Sequence, residues 1–157
     1  MTIRVRRAGA DDTPAMSRVL TASIIELCAA DHQHDPVSIA AWTANKSPEG
    51  VATMLDNPNL LVFVAEHLGT IGAVGAVTRT GDVALNYVAP EMRFRGLSKA
   101  LLARLEVELI ALGFTEGRLE ATQTARGFYE SAGWRPDGPQ ATGRRVNGYP
   151  MRKVLTS

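Results

Sequence analysis

The chain has 157 residues, with 17 lysines and arginines against 16 aspartates and glutamates, which leaves a net charge of +1 at pH 7. A chain of this length is expected to bury one core as one domain, and the balanced charge does not favour a nucleic-acid or membrane-surface protein. The single cysteine, Cys28, excludes an internal disulfide and a zinc ribbon and fits a reducing compartment. With no apolar signal core at its N-terminus and no bilayer-length apolar run, it is predicted to be soluble and cytoplasmic.

The first third of the chain is predicted to be a strand followed by helices. Ile3 to Arg6 has strand composition, and Asp12-Thr13-Pro14 begins a helix because proline is tolerated in the first turn. Apolar spacing carries this helix to about Asp31. Two shorter helices are predicted next, over Ser38 to Ala44 and from Ser47 through Leu55.

The middle of the chain is predicted to hold three consecutive strands. Leu60 to Glu66 and Ile71 to Thr78 are apolar runs of strand length, and the turn Leu68-Gly69-Thr70 joins them as a hairpin. A second turn at Thr80-Gly81-Asp82 leads into Val83 to Val88, and a proline shortly afterwards ends that strand.

The strongest helix pattern covers Leu97 to Leu112, where leucines at helical spacing form one apolar face and a glycine follows as C-cap. Arg118 to Thr122 is predicted as a strand and Ala125 to Ser131 as a short helix. A last hairpin opens at Gly133-Trp134 and returns over Pro150 to Leu155. This order predicts a mixed α/β sheet within one domain.

The start of the long helix is unusually basic. Arg93 to Leu102 reads RFRGLSKALL, which puts Arg93, Arg95 and Lys99 at the positive end of the helix dipole, where positive charge is unfavourable. A bound anion would remove this conflict, because unpaired backbone N–H groups beside Gly96 can form a phosphate cradle. The P-loop and Rossmann glycine patterns are absent. The alternative is a set of ordinary surface arginines.

A second stretch gives the basic turn a family context. Ala125 to Pro136 reads ARGFYESAGWRP, a short helix with adjacent aromatic residues, then glycine and tryptophan. This stretch, together with the basic turn, resembles the GNAT superfamily of acyl-CoA-dependent N-acyltransferases. Its cofactor motif is Arg or Gln, two variable residues, Gly, one variable residue, then Gly or Ala; here Arg93 to Ser98 matches it with serine in the last position. Leu85 to Pro90 resembles the family's fourth strand, and Val146 to Leu155 its closing strand.

The resemblance implies a fold and its organisation. We expect about seven strands and four to five helices in a single N-acetyltransferase domain, with a fourth strand that splays from its neighbour. The cofactor half is expected at about residues 60–134, where the match is most specific, and the acceptor-side elements at about residues 11–57 and 135–157. The match is weakest from Ser23 to Asn57.

The resemblance also implies how acetyl-CoA is held as co-substrate. The backbone N–H groups of residues 95–99 are expected to bind its pyrophosphate, and an N–H near Val88 is expected to face the thioester carbonyl. For Arg126 a solvated position is the alternative, and for Phe128 a place in the core. The residues predicted to contact the cofactor are Tyr87, Val88, Arg93, Phe94, Arg95, Gly96, Leu97, Ser98, Lys99, Thr124, Arg126 and Phe128.

Tyr129 is the predicted catalytic residue. A phenol of ordinary pKa, about 10, is protonated at neutral pH and can give its proton to a thiolate whose acid has a pKa of about 8.5. In the family, a tyrosine at this position acts as general acid beside the cofactor sulfur. The alternative is a core aromatic with a satisfied hydroxyl. The general base stays open among Asp82, Glu120, Glu66 and a water relay, although Asp82 follows a glycine and fits a turn.

The segment Asp31-His32-Gln33-His34-Asp35 contains residue types that suit zinc, but its spacing matches no recognised ligand set, so no metal is predicted. Its histidines, with Trp42, are instead predicted to contact the acceptor or to lie in a surface loop. Cys28 is predicted to be a small buried residue within an apolar helix.

The predicted activity is transfer of an acetyl group from acetyl-CoA to the primary amine of a small molecule, by direct attack on the thioester. The alternatives are a lysine or N-terminal acetyltransferase of proteins and peptides, with a groove around Gly143 to Gly148, and a non-catalytic acyl-CoA sensor. Tyr129 favours an enzyme, since a sensor needs no acid beside the sulfur. No nucleic-acid or membrane partner is expected. The acceptor, the acyl-chain preference and the oligomeric state, a homodimer included, are left open.

Overall fold

The computed structural model describes residues 2–141 and 148–156. Seven strands lie in this part of the chain: β1 Ile3–Arg7, β2 Leu60–His67, β3 Thr70–Thr78, β4 Val83–Val88, β5 Glu116–Ala121, β6 Arg135–Pro136 and β7 Tyr149–Val154. Its six α-helices are α1 Thr13–Leu27, α2 Ala29–His32, α3 Pro36–Thr43, α4 Pro48–Asp56, α5 Leu97–Ala111 and α6 Arg126–Ser131.

The mixed α/β class and the seven strands are confirmed, while the described helices number six rather than four to five. The additional helix arises because the first predicted helix does not continue to Asp31. The backbone leaves helical geometry at Cys28, with φ −105° and ψ 28°, and resumes as the single turn of α2. Gln33 then ends α2 in a left-handed conformation. This break turns Asp31 toward a loop far away in sequence.

The strands form two antiparallel sheets that separate from each other. The first has the order β1-β2-β3-β4 and the second the order β5-β7-β6. Among the described residues, β4 and β5 are joined by an isolated bridge between Asp82 and Arg118, at the start of β4, and by no ladder beyond it. The fourth strand therefore splays from the fifth as predicted, and a gap opens toward the end of β4.

Two apolar layers cover the faces of the first sheet. Because successive side chains of a strand point to opposite faces, Phe63 packs toward α5 while Val64 packs toward α1. A Cβ atom at Gly75 would lie 2.9 Å from Leu101 Cδ2 and 3.0 Å from Leu105 Cδ1, so the glycine lets α5 approach β3 closely. This packing places the N-terminus of α5 and the C-terminus of α1 at the mouth of the gap.

Among the described residues, none of the helices has both the length and the apolar character needed to cross a membrane.

Candidate active site

A cleft of about 430 Å³ lies where β4 and β5 separate. Its walls come from the end of α1, the end of β4, the start of α5, and the segment from the end of β5 into α6. The lining residues are Ser23, Leu27, Cys28, Asn86, Tyr87, Val88, Met92, Arg93, Phe94, Gly96, Leu97, Ser98, Lys99, Thr122, Thr124, Ala125, Phe128 and Tyr129.

Residues 93–99, here called the basic turn, form the exposed end of the cleft. Phe94 has φ +67° and Gly96 φ +87°, so two of its residues are left-handed. Left-handed residues in a turn can aim consecutive N–H groups into one anion-binding concavity, and a non-glycine residue in this region is uncommon. Gly96 is also the N-cap of α5 and has no side chain with which to cap the first N–H groups of the helix.

Side chains of the basic turn extend into solvent. Phe94 is 91% exposed, and the Arg93 guanidinium lies 4.6 Å from the centroid of its ring. Arg93 and Lys99 line the cleft, but Arg95 is not among the lining residues. This end of the cleft thus offers backbone donors, two cations and an exposed aromatic face.

The backbone of β4 also presents a donor to the gap. The N–H of Ala89 donates to the carbonyl of Gly72 on β3 at 2.7 Å. Because successive N–H groups of a strand point to opposite edges, the N–H of Val88 points away from β3 and toward the gap. This is the orientation that an oxyanion donor at Val88 requires.

Asn86, Tyr87 and Tyr129, here called the tyrosine pocket, line the buried end of the cleft. Tyr129 is 6% exposed and packs edge-on against Phe128 and Trp134, with ring centroids 5.3 Å and 6.1 Å away. Burial raises the pKa of the Tyr129 hydroxyl well above its usual value; the nearby Tyr87 adds to the rise and Asn86 opposes it. The Tyr129 phenol is therefore protonated at neutral pH.

Burial also disfavours negative charge at Tyr87 and Cys28, two other residues of the cleft lining. Burial raises the pKa of Tyr87 to about 12, with smaller contributions from Cys28 and Asp31 that raise it and from Trp42 that lowers it. Burial, with a further contribution from Asp31, raises the pKa of the Cys28 thiol to about 12. Cys28 is 4% exposed, as predicted for a small buried residue, although it lies at a helix junction rather than within a helix.

Asn86, which is not among the residues predicted from the sequence, lines both the cleft and a smaller opening of about 40 Å³ in the gap. Its Nδ2 and Oδ1 atoms are both buried, and neither has a hydrogen-bond partner within the described part of the chain. The amide is thus a neighbour of the Tyr129 hydroxyl that does not meet it in hydrogen-bond geometry. One polar residue in the otherwise apolar strand VALNYV was the available indication. Ser23 and Leu27 on α1 also line the cleft and were not selected.

Of the predicted cofactor contacts, Arg95 and Arg126 do not line the cleft. The Arg126 guanidinium lies over the Tyr149 ring on β7, 4.0 Å from its centroid. Their roles stay predictions. The predicted residues that do line the cleft are Tyr87, Val88, Arg93, Phe94, Gly96, Leu97, Ser98, Lys99, Thr124, Phe128 and Tyr129.

Asp31 ties α2 to the loop between β5 and α6. Its carboxylate accepts hydrogen bonds from the N–H groups of Gln123 and Thr124, at 2.6 Å and 3.2 Å, and from the Thr124 hydroxyl at 2.7 Å. The contact fastens α2 to the loop that carries the cleft-lining Thr124. It also occupies the hydroxyl of Thr124, one of the predicted cofactor contacts.

His32 and Asp35 of the 31–35 segment have local structural partners. His32 is buried; its Nδ1 accepts from the N–H of His34 at 3.0 Å, so its Nε2 donates to the carbonyl of Ile24 at 2.8 Å. Asp35 caps α3 by accepting from the N–H groups of Val37 and Ser38. Residues 2–141 and 148–156 contain no group of three or more His, Cys, Asp or Glu side chains that could hold a metal ion.

The three carboxylates considered as general base lie in different places. Glu66 is paired with Arg6 at 3.1 Å and does not line the cleft. Asp82 accepts from the hydroxyls of Thr78 and Thr80, as expected of a turn residue. Glu120 lines the smaller opening beside Asn86 and Tyr129, so it is the carboxylate of the three that lies nearest to the proposed acid.

A family model described as the acetyltransferase (GNAT) domain matches residues 28–155. The chain belongs to the GNAT acetyltransferase family. The resemblance inferred from the basic turn and from the ARGFYESAGW segment is therefore confirmed. No curated relative matches the sequence.

Solved structures share the whole fold of this family member at low sequence identity. A GCN5-related N-acetyltransferase from Rhodopseudomonas palustris has a TM-score of 0.87 at 21% identity, over 99% of this chain and 97% of its own. The PaiA N-acetyltransferase of Thermoplasma acidophilum, solved with coenzyme A, has a TM-score of 0.81 at 20% identity, over 99% and 100%. A phosphinothricin acetyltransferase from Sinorhizobium meliloti, solved with acetyl-CoA, has a TM-score of 0.69 at 24% identity, over 99% and 89%.

Proposed function

We propose that this protein transfers the acetyl group of acetyl-CoA to the primary amine of a small molecule. The observation that carries the proposal is that one cleft joins a basic turn at a helix N-terminus to a buried, protonated tyrosine. The family membership supports an acyltransferase, and the coenzyme A and acetyl-CoA complexes of two structural neighbours support this cofactor. The division into a cofactor half at residues 60–134 and acceptor-side elements belongs to the same proposal.

In this proposal the cofactor lies along the cleft with its pyrophosphate at the basic turn. The N–H groups of residues 95–99 and the positive end of the α5 dipole would neutralise the phosphate charge, with charge-assisted contacts from Arg93. The pantetheine arm would then follow β4 to the tyrosine pocket. The thioester carbonyl would receive the N–H of Val88.

The chemistry requires no covalent enzyme intermediate. The amine nitrogen attacks the thioester carbonyl carbon, forming a C–N bond, and the N–H of Val88 stabilises the oxyanion. The C–S bond then breaks, and Tyr129 gives its proton to the departing thiolate. The amine loses one proton to Glu120 or to a water relay in the smaller opening. The Tyr129 phenolate then takes a proton from solvent, which returns the enzyme to its starting state.

A small opening beside Asn86, Glu120 and Tyr129 is the proposed way in for the acceptor. Its volume is about 40 Å³, so it would admit the amine end of an acceptor and not a folded protein surface. The groove expected around Gly143 to Gly148 for a protein or peptide acceptor lies, apart from Gly148, outside the described residues.

A thiol-release screen tests the proposal. The purified protein is mixed with acetyl-CoA and a panel of amino acids, aminoglycosides, polyamines and lysine-bearing peptides, and free coenzyme A is measured. Release that depends on a small amine is the expected result. Release with peptides alone would assign a protein acceptor instead. Tight acetyl-CoA binding by calorimetry without release for any amine would favour an acyl-CoA sensor.

A further inference from the structure

The Asn86 carboxamide is the one side chain of the described residues with buried polar atoms and no hydrogen-bond partner. A buried amide loses its bonds to water on folding, and an amide without a replacement partner destabilises the folded state. Such groups are rare in folded proteins, so each calls for a physical reason. A ligand that supplies the absent partners is the reason that fits a residue lining a cavity.

The position of Asn86 indicates that its ligand is one of the groups that react in the proposed acetyl transfer. It lies on β4 two residues before Val88, whose N–H points into the gap, and it adjoins the Tyr129 hydroxyl. It also lines both the cofactor cleft and the smaller opening where Glu120 lies. An acceptor that reaches the thioester through that opening would pass beside the amide.

We propose that Asn86 binds the amine of the acceptor. Oδ1 accepts one N–H of the neutral primary amine, which directs the nitrogen lone pair at the thioester carbonyl carbon. In the free protein Nδ2 makes no hydrogen bond within the described residues, but when Tyr129 has protonated the thiolate, Nδ2 donates to the phenolate oxygen that forms and stabilises it. This assignment rests on the proposed acetyl transfer and specifies how the acceptor is held.

The competing explanation is that Asn86 has a structural role in β4. The variant Asn86→Leu separates the two, because leucine has nearly the shape of asparagine but no polar atoms. Replacing an unpaired buried amide by an apolar group of similar shape is neutral or stabilising, whereas removing a bonded amide is destabilising. Asn57→Leu is the matched control, since the Asn57 side chain accepts the N–H of Asn59 at 2.9 Å in an exposed turn away from the cleft.

Three measurements are made on wild type and both variants: thermal unfolding, calorimetric affinity for acetyl-CoA, and steady-state kinetics with an amine that the screen identifies. For Asn86→Leu we expect a melting temperature equal to wild type or higher by about 2–4 °C. The acetyl-CoA affinity is expected to change by less than about twofold, while KM for the amine rises at least about tenfold and kcat falls. Asn57→Leu is expected to lower the melting temperature and to leave the kinetics unchanged.

Two results would overturn the assignment. A fall in melting temperature for Asn86→Leu as large as that of Asn57→Leu would show that the amide has a structural partner. Wild-type KM and kcat in a variant that remains folded would show that no amine binds there. If wild type itself releases no thiol with any amine, the proposed acetyl transfer fails instead, so the two failures are distinguishable.

Discussion

The basic turn and the tyrosine pocket are two ends of the same cleft, yet they depend on opposite physical conditions. The basic turn lies in solvent, with Phe94 91% exposed, and its donors are backbone N–H groups and exposed cations. The tyrosine pocket is buried, and burial keeps the Tyr129 and Tyr87 phenols neutral. The comparison suggests a division of labour in which one end holds a charged ligand while the other keeps a proton available. Substitutions at the two ends should therefore change different observables.

Loss of the Tyr129 hydroxyl should produce the largest effect on turnover. Tyr129→Phe keeps the packed ring and removes the proton that the thiolate needs, so we expect kcat to fall roughly 10²–10⁴-fold, the usual contribution of general acid catalysis. Acetyl-CoA affinity, measured by calorimetry, should stay within about twofold of wild type. Tyr149→Phe, on β7 outside the cleft lining, is the control. A kcat equal to that of wild type in Tyr129→Phe would show that the tyrosine pocket does not supply the proton.

The reciprocal change at the basic turn should weaken binding and spare chemistry. Arg93→Ala combined with Arg95→Ala is expected to raise the acetyl-CoA dissociation constant roughly tenfold, as expected for lost charge-assisted contacts to phosphate. At saturating cofactor, kcat should remain near wild type. The difference in affinity should shrink as salt is added, because the contacts are exposed.

A charge-matched control separates local contacts from net charge. Arg4 and Arg135 are exposed and lie outside the cleft lining, so Arg4→Ala with Arg135→Ala removes the same two charges elsewhere. If both double variants weaken acetyl-CoA binding equally, the arginines of the basic turn contribute only through the net charge of the protein. Unchanged affinity in the Arg93 and Arg95 variant would contradict a phosphate site there.

The two ends also differ in how far the sequence alone predicts them. The basic turn is contained in seven consecutive residues, so its glycine, its cations and its place before a helix can be identified from local pattern. Tyr129 could be selected because it stands in a recognisable segment. The Asn86 amide is buried and unpaired within the described residues because β4 separates from β5, and no local sequence pattern indicates that separation.

The contact between Asp31 and Thr124 shows the same limit of prediction from local sequence. Asp31 and Thr124 are 93 positions apart, and their contact gives a structural role to one residue of the segment that resembles metal ligands. Residue types and spacing alone could not distinguish a carboxylate that binds a ligand from one that bridges two sheets. The strand and helix pattern, by contrast, follows from apolar periodicity and was predicted to within a few residues.

Loss of the contact between α2 and the β5–α6 loop should have a moderate effect on KM for the amine acceptor. Asp31→Ala removes three hydrogen bonds to the Gln123–Thr124 loop, so we expect the free energy of unfolding to fall by about 1–2 kcal/mol. KM for the amine should rise severalfold while acetyl-CoA affinity changes little. Asp56→Ala, at the exposed end of α4, is the control for loss of a carboxylate. A larger loss of acetyl-CoA affinity than of amine affinity would mean that the Asp31 contact supports the cofactor end of the cleft.

The tyrosine pocket should also be visible in the stability of the protein at high pH. The pKa of Tyr87 is raised by burial from 10.0 to about 12, so between these values the unfolded chain loses a proton that the folded protein keeps. The unfolded state then binds fewer protons, and stability falls as pH rises, by about 1.4 kcal/mol per pH unit for one group. Tyr87→Phe has no such proton, so its unfolding free energy, measured by urea denaturation, should fall less steeply between pH 10 and 12. Near pH 7 both states keep the proton, and the difference between variant and wild type measured there gives the baseline. Parallel curves above pH 10 would mean that Tyr87 ionises in the folded protein at its ordinary pKa, so that burial does not raise it.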